Sequence, residues 1–314
     1  MTSPSSLLRL SMLALLWGSS FLWIKFALGA FTPVQLVAGR LALAALVLLA
    51  ICRTRRIPLP RGGRLWGKIA IAALFANTLP FTLIGYGEQT VDSGLAGVLN
   101  GTTPLWTMII TLVIGQERSL GPTRTLGLVL GFAGTLLIFS PWQSGGNTLS
   151  PGALAVLGAA LSYAISTVYI ARNLTGHGVP PVAAAASQML AATGWAVLAL
   201  PMGGLQLPHW NPLGVLALAI LGVFGTGLAF IVYYRLITDE GAIFTATVTY
   251  LMPVVAILLG TVVFSEELQV HVLAGMAVVL AGVALTQRRG PARERDGGRA
   301  ERDLGEVPAK ADTR

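Results

Sequence analysis

Charge is what this sequence has least of. Only 11% of its 314 residues are Asp, Glu, Lys or Arg, against about 25% in an ordinary globular domain. So few charges cannot cover a water-facing surface, and a soluble domain is excluded. Cysteine is nearly absent. Cys52 is the single one, which rules out an intrachain disulfide and any cysteine-based metal site. At the end of an apolar run it reads as a small core residue. Acids are missing from the middle of every apolar run. Glu88, Asp92, Glu117, Asp239, Glu240, Glu266 and Glu267 precede the C-terminal tail, all near run ends, and His177, His209 and His271 lie there too. A membrane proton relay uses carboxylates or histidines buried at depth. Proton coupling is therefore not demanded and stays open, beside facilitated diffusion or coupling through Glu88. No cofactor is called for.

What the chain does have is apolar length. It is 54% hydrophobic with a mean hydropathy of +0.73. A membrane-crossing helix needs about 20 apolar residues. Ten runs qualify: roughly 7–28, 33–52, 69–87, 94–115, 122–140, 151–171, 180–201, 213–235, 241–264 and 269–286. Short connections rich in Pro and Gly divide them. The net charge of +8 suggests nucleic acid only until its placement is read. Six basic residues lie between Arg53 and Lys68 and eight after Gln287, whereas 141–150 and 202–212 hold none. Basic residues gathered at run ends are a topology signal, not a phosphate-binding stripe. They put 53–68, and with it both termini, in the cytoplasm. The expectation is an all-α membrane protein of ten transmembrane helices. Residues 288–314 mix basic and acidic residues without aromatics and read as a disordered cytoplasmic tail.

The chain also repeats itself. Thr32–Arg40 aligns with Pro180–Gln188 at an offset of 148, and Leu99–Leu105 with Val248–Val254 at 149. Glu117 and Glu266 agree at 149, and Gly127 and Gly134 match Gly275 and Gly282 at 148. The expected units are 1–145 and 146–287, five helices each. Five is odd, so the second unit enters the membrane upside down. Two inverted five-helix repeats point to alternating access around a midplane site.

Leu15–Lys25 (LLWGSSFLWIK), Arg40, the proline-closed segments Asn100–Leu105 and Val248–Val254, and the acids Glu117 and Glu266 together resemble the EamA-type members of the drug/metabolite transporter superfamily. The resemblance covers 7–287. It departs at Ser162-Tyr163, where Trp-Gly stands in the first copy, and at Gln188, where the arginine is missing. It implies ten helices in the inner membrane and export of small organic solutes such as amino acids or related metabolites, or drugs. It does not name the solute. Carrying Arg40 across unlike substrates, the family also implies a structural or gating role for it. A membrane enzyme is the contrasting reading, but no H-E-x-x-H, intramembrane Asp pair or G-x-S-G is present. A passive channel would need a continuous polar face, and the polar residues are scattered.

Candidate solute-binding residues follow from polarity at membrane depth. Arg40 lies ~10 Å along its helix at 1.5 Å per residue. An arginine at a helix centre costs roughly 2.5–3.5 kcal/mol on insertion scales. Two readings remain open: a fixed charge facing a cavity, or a group tied to neighbouring carbonyls or to Glu88. Pro104 and Pro253 each free a carbonyl four residues back, at Asn100 and Thr249. Asn100, Thr103, Thr245, Thr249 and Tyr250 cluster there and are expected to line the cavity. Trp17 is too deep for an interfacial aromatic belt and could stack on a planar solute. Tyr163 and Tyr234 lie within spans. Tyr86 is a further candidate, although it and Tyr233 stand near span ends, where belt residues gather. Asn77 and Gln188 are mid-span amides, either cavity-facing or bonded between helices. Glycine-rich faces around Gly131 and Gly275 read as helix contacts or a dimer surface. Expected partners are a small solute and the bilayer, with no nucleic acid and a homodimer left open.

Overall fold

A computed structural model describes residues 4–87, 90, 93–115, 121–140, 150–175, 178–209, 211–264 and 270–286. Glu88, Asp92, Glu117, Glu266, Glu267 and the expected tail 288–314 lie outside the described residues. Within them every regular element is helical. Seven helices are long and apolar enough to cross a membrane: α1 (Pro4–Ile24), α2 (Pro33–Thr54), α3 (Gly63–Gly87), α4 (Ala96–Val113), α6 (Pro151–Asn173), α7 (Pro181–Met202) and α8 (Pro212–Glu240). Three shorter apolar helices are α5 (Pro122–Ile138), α9 (Ala242–Val255) and α10 (Val270–Thr286).

The starts are written in the sequence. Pro33, Pro122, Pro151, Pro181 and Pro212 each stand in the first turn of a helix, where their missing N–H costs nothing. Thr32 and Gln35 form a reciprocal capping box on α2, at 3.3 Å and 3.0 Å. Gly241, at φ +86°, turns α8 into α9 in one residue, a conformation open to glycine.

Helix contacts are close where side chains are small. On α5, Gly127 and Gly134 face α10, while Gly131 faces Tyr250 and meets α10 through its backbone. A Cβ added at Gly282 would lie 2.5 Å from the Gly131 nitrogen, and one at Gly134 would lie 2.6 Å from the Val279 nitrogen. The two backbones therefore touch. This glycine seam lies within the chain. Elsewhere α2 packs along α7, α3 against α6, and α1 against α8 and α9. Leu46, Val129, Leu198 and Leu280 point outward and are exposed, as suits a lipid-facing surface.

Two helices share an irregularity. Leu74–Thr78 in α3 and Leu221–Leu228 in α8 are π-helical. They occupy equivalent positions, for Phe75, Leu79 and Phe81 recur 149 residues on as Phe224, Leu228 and Phe230. A π turn shifts carbonyls off the regular ladder and leaves them for other partners. The breaks expected near the prolines also occur, with a difference. In α4 the turn falls at Gly101-Thr102, one residue short of Pro104. In the second copy it falls at Thr247, and Pro253 sits inside the following helix.

Candidate functional site

A cavity of about 280 Å³ runs into the bundle. Leu28, Pro33, Ile84 and Gly85 form one end, beside the α1–α2 turn and the end of α3. The rest of the lining comes from α1, α2, α3, α4, α6, α8 and α9. Seven of the candidate residues meet here: Trp17, Arg40, Asn100, Thr103, Tyr163, Thr245 and Thr249. Asn100 and Thr249, equivalent at 149, are both on the wall.

Arg40 is 6% exposed. Its Nε donates to Thr226 Oγ1 at 3.1 Å, and its guanidinium carbon lies 4.3 Å from the centroid of the Phe81 ring. Thr226 in turn donates to Leu221 O at 2.8 Å within the π segment. A desolvated cation over an aromatic face gains about 2 kcal/mol, comparable with the insertion cost of the arginine. Among the described residues no carboxylate pairs with it. The single ion pair there joins Arg9 and Asp239, between α1 and α8.

Arg40 has a counterpart that does something else. Gln188, 148 residues on, donates through Nε2 to Asn77 Oδ1 at 2.7 Å and accepts from Tyr234 OH. Asn77 and Thr226 are themselves 149 apart. The π segment of α8 is thus held by Arg40 on α2, and that of α3 by the matching Gln188 on α7. The first helices grip the same segments: Trp17 Nε1 donates to Gly225 O at 3.1 Å and Ser162 Oγ to Phe75 O at 2.7 Å. Departures from the repeat at Ser162 and Gln188 therefore preserve the bonding pattern while changing its chemistry.

Five candidates stand away from the cavity. Asn77, Gln188 and Tyr234 form the buried interhelical chain just described. Tyr250 is sealed against Gly131, where an added Cβ would come within 2.5 Å of its ring, and donates to Leu128 O at 3.0 Å. Tyr86 is 45% exposed and donates to Met202 O at 3.3 Å. Conversely, Tyr233, read as a belt residue, is 6% exposed and lines the cavity. It bonds Thr167 at 2.7 Å and packs in a tilted arrangement 5.5 Å from Trp17. The expectation failed because a position near a span end says nothing of the direction a side chain faces. Phe81 and Phe230 were also missed, though their recurrence at 149, two residues after matching leucines, was a legible signal. The freed carbonyl expected at Asn100 accepts from Thr103 Oγ1 at 2.7 Å.

Apolar helices around an internal, aromatic-walled cavity define a multi-pass membrane protein equipped to hold a small molecule. Comparison with known proteins places it more closely. The EamA-like transporter family matches residues 5–140 and 150–288, and the chain belongs to that family. It is 30% identical over 277 residues to the uncharacterized inner membrane transporter YedA of Escherichia coli strain K12, covering 87% of this chain and 88% of that one. Against the uncharacterized transporter YvbV of Bacillus subtilis strain 168 the identity is 28% over 292 residues, covering 91% and 93%. A solved crystal structure shares the fold with a TM-score of 0.74 at 22% identity, over 91% of this chain and 97% of that one.

Proposed function

We propose that this protein is an inner-membrane secondary transporter that exports small organic solutes, amino acids or related metabolites and drugs among them. Residues 1–145 and 146–287 are two inverted five-helix units. Their ten helices cross the membrane with both termini in the cytoplasm, and the units rock about the cavity. The observation that carries this reading is the crossed bonding of the π segments, Arg40 with Thr226 and Gln188 with Asn77. Residues equivalent by sequence make equivalent bonds to the opposite unit, which suits two half-structures related by an axis in the membrane plane. The family match in two segments supports the same division, and the inner-membrane relative supports the location.

The cavity lining includes Leu28, itself exposed at the surface, and Pro33 close by along the chain. The Arg9–Asp239 pair ties α1 to α8 at the opposite end of α1. One end open and the other latched is the arrangement alternating access requires. An exposed pair is worth about 0.2–1 kcal/mol, so Asp239→Asn should shift the balance between states by up to about fivefold. Spin labels at Leu8 and Thr238 report the latched end, and labels at Tyr86 and Leu205 the other. In nanodiscs Asp239→Asn should lengthen the first distance and shorten the second. Two ends that stay fixed, or that move together, would refute the rocking mechanism.

A further inference from the structure

The cavity carries one sign of charge. Arg40 brings a permanent cation to the wall, and among the described residues no Asp, Glu or His lines it. The aliphatic hydroxyls on the wall are engaged, whereas the side-chain oxygen of Asn100 is buried without a partner. Ser20, Thr103, Thr167, Thr245 and Thr249 each donate a hydroxyl to a carbonyl of their own helix at 2.7–2.8 Å. Arg40 differs. Thr226 takes its Nε edge and Phe81 its face. Among the described residues no hydrogen bond engages the Nη1 and Nη2 end, so its four N–H bonds, one facing pair of them suited to a planar anion, remain for a guest. Part of the wall is aromatic: Trp17 packs on Phe230 at 6.0 Å and on Tyr233 at 5.5 Å.

From this we infer that the solute is a compact organic anion, with a carboxylate or equivalent group on Arg40 and a flat apolar body against the rings of Trp17, Phe230 and Tyr233. The inference rests on the transporter reading and narrows it to a substrate class. A guanidinium accepts a planar anion through two parallel N–H bonds, the strongest pairing available to it. Apolar walls strengthen both attraction and repulsion at that charge. An amine would face a buried cation with, among the described residues, no carboxylate on the wall to neutralise it. A zwitterion could place its carboxylate on Arg40, but the unpartnered acceptor offered to its ammonium is the neutral side-chain oxygen of Asn100, and among the described residues no opposite charge lines the cavity, so burying the second charge is costly. The charge enters once because the second unit has no arginine here: Gln188 is neutral and fully occupied by Asn77 and Tyr234. The volume, about 280 Å³, lies at the small end of ligand pockets and suits a body of one ring.

Three probes share a phenyl ring and differ in charge: 3-phenylpropionate, L-phenylalanine and phenethylamine. Binding of each to the full-length protein in nanodiscs would be measured by saturation-transfer NMR and competition. Wild type should prefer 3-phenylpropionate by tenfold or more over both others. Arg40→Gln, folded by its melting temperature, should lose that preference, and Arg40→Lys should keep part of it. If Arg40→Gln does not fold, the ranking in wild type decides by itself. Equal or tighter binding of phenylalanine or phenethylamine overturns the assignment. So does a folded Arg40→Gln that binds like wild type, or a wild type that binds none of the three. In that last case, anticorrelated motion of the two labelled ends leaves the transporter reading standing, and rigid ends remove it as well.

Discussion

Gly282→Ala tests how tightly the scaffold behind the cavity is held. A methyl group at Gly282 would lie 2.5 Å from the Gly131 nitrogen, 2.7 Å from the Gly127 oxygen and 3.0 Å from the Gly131 Cα. All three are backbone atoms, so no side chain can turn away. Ordinary contact begins near 3.5 Å, so α10 must retreat from α5 by about 1 Å. That loosens the whole seam, because Gly127, Gly131 and Gly134 share it. Overpacking costs typically 1–3 kcal/mol, and alanine's helix propensity returns at most about 1 kcal/mol. The net should be a loss of roughly 1–2 kcal/mol. Gly194 on α7 is the control. It is exposed and an added Cβ would meet nothing within 4 Å, so Gly194→Ala should be neutral or stabilising by up to about 1 kcal/mol. Unfolding in mixed micelles titrated with dodecyl sulfate compares the two. If Gly282→Ala proves as stable as Gly194→Ala, the close backbone contact is not real and the reasoning fails.

Two further substitutions separate cavity from scaffold. Thr226→Val removes the oxygen that holds Arg40 Nε. The coupling between positions 40 and 226 in a double-mutant cycle should be about 1–2 kcal/mol, above the ≈ 0.6 average for membrane interhelical bonds because the donor is charged; a value near zero would show that Phe81 alone positions Arg40. Tyr250→Phe removes the bond to Leu128 O outside the cavity. It should cost about 0.5–1.5 kcal/mol of stability and leave solute binding unchanged, and altered selectivity would put Tyr250 at the site after all.

Most of the architecture can be read before any coordinates. In hydrocarbon a chain must satisfy its own backbone, so apolar length dictates helix. Prolines at first turns mark where those helices begin. Residues that recur at 148 and 149 expose the internal equivalence, and an arginine in an apolar run announces a special position because burying it is costly. The polar cluster at Asn100 and Thr249 was legible for the same reason.

Which way the deep polar residues face was not. In a soluble helix, polarity contrast separates the outer face from the core. Here lipid and core are both apolar, so the contrast vanishes and Tyr233 and Tyr234 look alike in sequence. The π turns in α3 and α8 add to this. An extra residue in a turn rotates all that follows by about 100°, and periodic counting from the helix start then assigns the wrong face. Tertiary packing alone decided that Tyr233 joins the cavity while Tyr234 closes on Gln188, and that Asn77 and Tyr250 fill seams between helices. Composition and spacing determined a repeated, helical membrane protein with one deep positive charge. Only tertiary packing decided that this charge meets Thr226, Phe81 and an aromatic-walled space, because those partners lie 186 and 41 residues from Arg40 along the chain and meet it only through the packing of α2 with α3 and α8.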